Sequence, residues 1–180
     1  MAIQTDNKRA IIVTGASRGI GAATARLLGM QGYPVAVNFA KNEAAASAVV
    51  REIVSGGGKA VAVRADVSRE SEILRLFETS DRELGPLGGL VNNAAVTGGF
   101  AHVRDLSPKT IDAVFALNVT GAMLCSREAV RRMSTKSGGA GGSIVNISSI
   151  AARTGAAGEW VHYARRKERL IVLLSDSREK

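Results

Sequence analysis

Tyr163 and Lys167 stand four residues apart, the spacing that places two side chains on one face of a helix. A phenol with a pKa of ~10 is a poor base at neutral pH. A neighbouring ammonium favours the phenolate and lowers that pKa, moving the group towards general acid/base work. Taken alone, such a pair is an ordinary helix surface. Ser148 and Ser149 follow an apolar run at 143–147 and add hydroxyls at what should be a strand end. Near the N-terminus, Thr14-Gly15-Ala16-Ser17-Arg18-Gly19-Ile20-Gly21 follows the apolar stretch Ala10-Ile11-Ile12-Val13. A strand that breaks into glycines and restarts as a helix brings backbone N–H groups and a helix N-terminus up to a phosphate. Glycine is required because a Cβ would block the approach of a pyrophosphate. The spacing is G-x-x-x-G-x-G, so the commoner G-x-G-x-x-G fingerprint fits only loosely.

The elements that must position these groups alternate along the chain. Apolar runs of strand length occur at 10–14, 34–39, 59–64, 88–92 and 143–147, with helical patterns at 19–31, 42–56, 68–84 and 108–134. Ser68 with Glu70 and Glu72, and Ser107-Pro108, supply helix-start signals, and Gly32 and Gly56-Gly57-Gly58 supply stops. Alternation of this kind implies right-handed crossovers and a parallel sheet covered on both faces. The expected architecture is α/β: a Rossmann-like, doubly wound sheet in three α/β/α layers, with strand order 3-2-1-4-5. Residues 1–180 are expected to form one domain. Ligands of such sheets sit at the carboxyl ends of the strands, where the polar residues of this chain gather.

A dinucleotide is the ligand that suits the pattern. A carboxylate at the end of the second strand would bind the ribose 2′-hydroxyl and select NAD. This chain has Asn38 there, with Lys41 just beyond and Arg18 in the glycine loop. A missing carboxylate and two cations suit a 2′-phosphate, so NADP(H) is the expected cofactor and NAD(H) the alternative. Asp66-Val67 follows the third strand, where a carboxylate and a backbone amide can meet the adenine edge. Asn93 and Ala94, in Asn92-Asn93-Ala94-Ala95, follow the fourth. Asn93 can tie neighbouring strands together while small residues leave room for the cofactor.

The ordered set T-G-x-x-x-G-x-G, Asp66-Val67, Asn92-Asn93-Ala94-Ala95, Asn118, Ser149 and Tyr163-x-x-x-Lys167 resembles the short-chain dehydrogenase/reductase family over residues 9–167. The resemblance implies an oxidoreductase that moves hydride between the cofactor and a small carbonyl or alcohol substrate. It implies that Tyr163 exchanges a proton with the substrate oxygen. Lys167 would bind the nicotinamide ribose and lower the Tyr163 pKa. Ser149 would hydrogen-bond the substrate oxygen, and Asn118 would hold a water of the proton relay. Gly15, Ser17, Arg18, Gly19, Ile20, Gly21, Asn38, Lys41, Asp66, Val67, Asn93, Ala94, Tyr163 and Lys167 are the expected cofactor-binding set. The resemblance also implies homodimers or homotetramers, formed through the helices near 108–134 and from 161 onward.

Three departures stand out. Asn92-Asn93-Ala94-Ala95 ends in Ala where the family usually has Gly. Ser149 and Tyr163 are fourteen apart, one more than the resemblance implies, so an insertion is expected in 150–162, with Ser148 as the alternative hydroxyl. Family members also continue well beyond the Tyr–Lys pair, with two more strands and most of the substrate pocket. Here two arginines follow Tyr163-Ala164 and the sequence ends at Lys180. A reading-frame shift after about residue 164 would account for both features; the alternative is a genuinely short protein with a basic helix at its end. The alternative function is a truncated relic that binds nucleotide or pairs with intact subunits without catalysing.

Composition narrows the rest. With 180 residues and 46% hydrophobic content, the chain can bury a sizeable core. No apolar run approaches the ~18 residues of a membrane span. The N-terminal stretch is polar, and Cys125 is the single cysteine, so a disulfide framework and a cysteine-built metal site are excluded. A cytoplasmic protein with no membrane partner and no metal is the expectation. The net charge of +8 is partly concentrated in 164–180, and only 4% of residues are aromatic, which leaves few platforms for stacking bases. Nucleic acid is therefore not an expected partner.

Overall fold

The computed structural model describes residues 8–149. Tyr163, Lys167 and the segment 150–162 lie outside the described residues. In chain order the elements are β1 (Ala10–Val13), α1 (Gly19–Met30), β2 (Val35–Phe39), α2 (Glu43–Ser55), β3 (Ala60–Arg64), α3 (Glu70–Leu84), β4 (Leu87–Asn92), α4 (Pro108–Phe115), α5 (Ala122–Met133) and β5 (Ser143–Asn146). All strand pairs are parallel, in the order β3-β2-β1-β4-β5. This is the doubly wound, Rossmann-like order expected from the sequence. The chain moves outward from β1 through β2 to β3, then returns to the opposite side of β1 as β4. The reversal opens a crevice at the carboxyl ends of β1 and β4.

Period-two alternation divides the strands between two apolar layers. Ala10, Ile12, Ala36, Leu87 and Leu90 face α3 and α5, where they meet Ile73, Leu76, Phe77, Cys125, Ala129 and Met133. Val13, Val35, Val37, Phe39 and Val91 face α1 and α2, against Ala22, Ala25, Ala46, Val49 and Ile53. Ile73, Leu76, Phe77, Ser80 and Leu84 recur at helical spacing and form the buried stripe of α3. Each fully buried Ile, Leu, Val or Phe contributes about 1.5–3 kcal/mol, so these layers hold the strand ends rigidly.

A charged cluster fastens α5 to α3. Glu128 is almost fully buried and accepts from Arg127, Arg131 and Arg132, while Arg132 also reaches Asp81 at 2.7 Å and Arg127 reaches Glu70 at 2.6 Å. Burial opposes ionisation of Glu128. Hydrogen bonds from Arg132 and Arg127, with the charge of Arg131, outweigh it and hold the carboxyl below the usual range. Burial also pushes the Cys125 thiol up to about 12, with Glu128 adding to the shift, so this cysteine behaves as a small inert hydrophobe.

Two local expectations change. The region 108–134 is not one α-helix: Ala116–Gly121 forms a π-helical turn between α4 and α5. Such turns insert a residue into the helical ladder and re-aim the side chains around it, and Asn118 lies at this one. Ser68 does not cap α3. Its backbone N–H and hydroxyl both donate to Asp66 Oδ1, and Arg69 takes the capping position without a side-chain bond. Ser107 does cap α4, accepting from the Thr110 N–H at 3.1 Å with Pro108 in the first turn. Among the described residues no helix is long and apolar enough to cross a membrane, and no cluster of His, Cys, Asp and Glu could hold a metal ion.

Candidate functional site

The glycine loop joins β1 to α1, and each of its glycines answers a different constraint. Gly15 has φ +63°, and a Cβ there would lie 2.9 Å from Ala94 Cα. Gly19, the first residue of α1, has φ +57° and no neighbouring atom within 4 Å of the Cβ position. A left-handed glycine that meets no protein atom leaves open space before the first helical turn, as a phosphate cradle requires. Gly21 is buried, and a Cβ would overlap the Asn93 amide. Arg18 precedes the helix in extended conformation without a side-chain cap, and the first turn carries no acidic side chain. The N–H groups of this helix start therefore remain available to an anion. Arg18 and Lys41 are exposed, Ile20 is 63% exposed and Ser17 is half-buried.

The loop is held from below by side chains bonded to main chain. Thr14 Oγ1 accepts from the N–H groups of Asn93 and Ala94, both at 3.0 Å. Asn93 Nδ2 donates to the carbonyls of Thr14 at 2.9 Å and Gly15 at 3.1 Å. The ends of β1 and β4 are thus locked together, as the sequence suggested for Asn93. Thr14 was legible only as the first letter of a motif; its clamp depends on β4 lying beside β1.

Asn38, a member of the expected cofactor-binding set, is 2% exposed and bonded to backbone. Its Oδ1 accepts from the Gly15 N–H at 3.1 Å, and its Nδ2 donates to the carbonyls of Ala65 at 2.9 Å and Val63 at 3.3 Å. The strand's alternation turns residue 38 inward, leaving Lys41 and Arg18 as the exposed cations. Asp66 follows β3, with its carboxylate accepting from Ser68 and its N–H donating to Glu72; Val67 beside it is buried.

At the β4–β5 side, Asn118 is 1% exposed. Its amide donates to the Val96 carbonyl at 2.8 Å, and its Oδ1 accepts from the Val96 N–H at 3.0 Å. The π-turn thereby anchors the loop that leaves β4, which carries Phe100 and Val103, each 62% exposed. Asn92 reaches from β4 to Asn146 Oδ1 at 2.9 Å and Ser126 Oγ at 3.0 Å, and the Ile147 N–H donates to the Asn92 carbonyl. These bonds fix the end of β5, from which Ser148 and the half-buried Ser149 follow. The structure thus brings Gly15, Gly19, Gly21, Asn93, Ala94 and Asn38 into one cradle and sets Asn118 beside the loop after β4.

A parallel sheet with a glycine loop and an uncapped helix start at its reversal point narrows the family, and residues 9–177 match the short chain dehydrogenase family. The chain belongs to that family. It is 49% identical over 156 residues to the uncharacterized oxidoreductase YgfF of Escherichia coli, covering 87% of this chain and 63% of that protein. It is 40% identical over 160 residues to a 3-oxoacyl-[acyl-carrier-protein] reductase of Synechocystis, covering 89% of this chain and 63% of the relative. The fold superposes on a short chain dehydrogenase of Burkholderia cenocepacia solved in complex with NADP, with a TM-score of 0.84 and 34% identity over 92% of this chain and 65% of the other. A double mutant of a Serratia marcescens short-chain dehydrogenase/reductase gives a TM-score of 0.85 at 32% identity, over 93% and 65% of the two chains. The chain therefore spans just under two thirds of the length of these relatives, in a stretch that contains the five-stranded sheet described above.

Proposed function

We propose that the chain carries the dinucleotide site and catalytic residues of an NADP(H)-dependent oxidoreductase that interconverts a small carbonyl compound and its alcohol. The observation that carries this reading is the cradle at Gly19, open in front of an uncapped helix start and flanked by Arg18. Lys41 beyond β2, with no carboxylate among residues 38–41, favours a 2′-phosphate over a bare ribose, with NAD(H) as the second cofactor. The NADP complex of the Burkholderia relative supports the same preference. When bound, the nicotinamide supplies or takes the hydride.

The chain's own residues would position the reactants and move the proton. Gly15, Gly19, Gly21 and the backbone N–H groups of α1 would hold the pyrophosphate, with Ser17 and Ile20 at its edge. Asp66 and Val67 would meet the adenine, and Ala94 would leave space beside the adenine ribose. Ser149 would donate to the substrate oxygen, and Tyr163 would transfer its proton, its phenol made more acidic by Lys167. Asn118, with its amide committed to Val96, would hold a relay water through its main-chain carbonyl. The helices at 108–134 and from 161 onward would pair subunits as dimers or tetramers. A single buried cysteine suits a reducing cytoplasm.

The test is to assay the purified chain for loss of NADPH absorbance with a panel of aldehydes and ketones, alongside Tyr163→Phe. The expected result is at most weak turnover, lost in the variant, while NADPH affinity stays within about threefold. Binding without turnover in the parent chain would favour the nucleotide-binding, non-catalytic alternative. No binding of either dinucleotide would overturn both.

A further inference from the structure

We infer that Asn38 is a positioning residue that couples the two halves of the adenosine pocket, the glycine loop and the segment after β3, without touching the cofactor. The inference rests on the dinucleotide reading above. Asn38 is 2% exposed, yet its amide makes three bonds to main-chain atoms of two different segments. One is the N–H of Gly15, the left-handed residue that turns the chain into the cradle. The others are the carbonyls of Val63 and Ala65, and Ala65 immediately precedes Asp66-Val67. Main-chain bonds reinforce the same bridge: the Ala16 N–H donates to the Asn38 carbonyl at 2.7 Å, and the Ala65 N–H to the Phe39 carbonyl at 2.9 Å. A displacement of either segment is therefore felt by the other.

The chemistry demands an amide at this position. Oδ1 must accept and Nδ2 must donate twice, a combination that Asn supplies and a carboxylate cannot. An ionised carboxylate at position 38 would set its charge against two carbonyl oxygens in a buried site, with the Gly15 N–H as its facing donor. An acidic residue at the end of the second strand is the one that elsewhere selects a ribose 2′-hydroxyl. In this chain the same substitution is directed inward, so it damages the cradle and leaves the choice between NADP and NAD to Arg18 and Lys41.

The experiment measures NADP+ and NAD+ affinity by calorimetric titration for the wild-type chain, Asn38→Asp and Asn38→Ser, each at a temperature where circular dichroism shows the protein folded. The Asn38→Ser variant adds no charge and retains a short hydroxyl, so it carries the test if the Asn38→Asp variant does not fold. The expected result is a loss of about tenfold or more for both dinucleotides, with the ratio of the two affinities unchanged within about twofold. A shift of that ratio towards NAD+ in Asn38→Asp would place residue 38 against the ribose and overturn the inference. Unchanged affinities with only a lowered melting temperature would show a merely structural role and overturn it equally. A wild-type chain that binds neither dinucleotide contradicts the dinucleotide reading itself and removes the inference with it.

Discussion

Around the glycine loop, Asn38 and Asn93 use their side-chain amides to hold main-chain atoms of neighbouring segments. Between β4 and β5, Asn118 holds the main chain of Val96, but Asn92 adds side-chain bonds to Asn146 and Ser126 beside its bond to the Ala122 carbonyl, and the loop in front exposes Val96, Phe100 and Val103. The first arrangement holds a backbone shape and is indifferent to what side chains its partners carry. The second adds bonds that depend on particular side-chain partners and leaves apolar side chains exposed in front of them. A cradle for a constant ligand, the phosphate backbone of a cofactor, can be built the first way. In the function proposed above, the second region would take varied substrates, with specificity carried in exposed loops.

Four variants test this contrast. Gly15→Val should have the largest effect, because it forces a β-branched residue into φ +63° with a Cβ 2.9 Å from Ala94 Cα. Dinucleotide binding should fall at least about a hundredfold and stability by about 1–3 kcal/mol, read by titration and by urea unfolding. Asn118→Leu comes next: freeing Val96 should lower turnover by about tenfold to a hundredfold while dinucleotide affinity changes less than about threefold, which places its effect on the substrate side. Kinetics and direct binding on the same preparation separate the two quantities.

Arg18→Ala with Lys41→Ala should weaken NADP+ about tenfold or more and leave NAD+ nearly unchanged. The difference should shrink as salt is raised, since both cations are exposed. Glu128→Gln should be mildest for function, with cofactor affinity intact and stability reduced by about 1–3 kcal/mol. The folded-state pKa of Glu128 is depressed, so its contribution is present above the ordinary carboxylate pKa. It is lost as pH falls through the lower folded value. The gap in melting temperature between parent and variant should accordingly close on acidification below about pH 4.5.

The strands, their order and the glycine cradle were legible because each depends on short-range features: apolar runs, alternation and glycines at a strand end. Asn93 was legible for the same reason, lying directly after β4. Asn38 was legible as a polar residue at the end of β2, but its burial and its bonds to Gly15, Val63 and Ala65 were not. A pattern that is apolar almost throughout, Val35-Ala36-Val37-Asn38-Phe39, does not reveal which face an isolated polar residue takes when both faces are buried. The π-turn at Ala116–Gly121 was also illegible, because its amphipathic pattern reads as continuous helix and Asn118 meets its partner Val96 through the fold. Tyr163 and Lys167, the sharpest chemical signal in the sequence, lie outside the described residues.

A crystal structure of the chain grown with NADP+ tests the central claim most directly. The expected density has the pyrophosphate against Gly19 and the first turn of α1, the 2′-phosphate between Arg18 and Lys41, and Asn38 still buried on Gly15, Val63 and Ala65. A cofactor bound elsewhere, or an Asn38 side chain turned out onto the ribose, would contradict it.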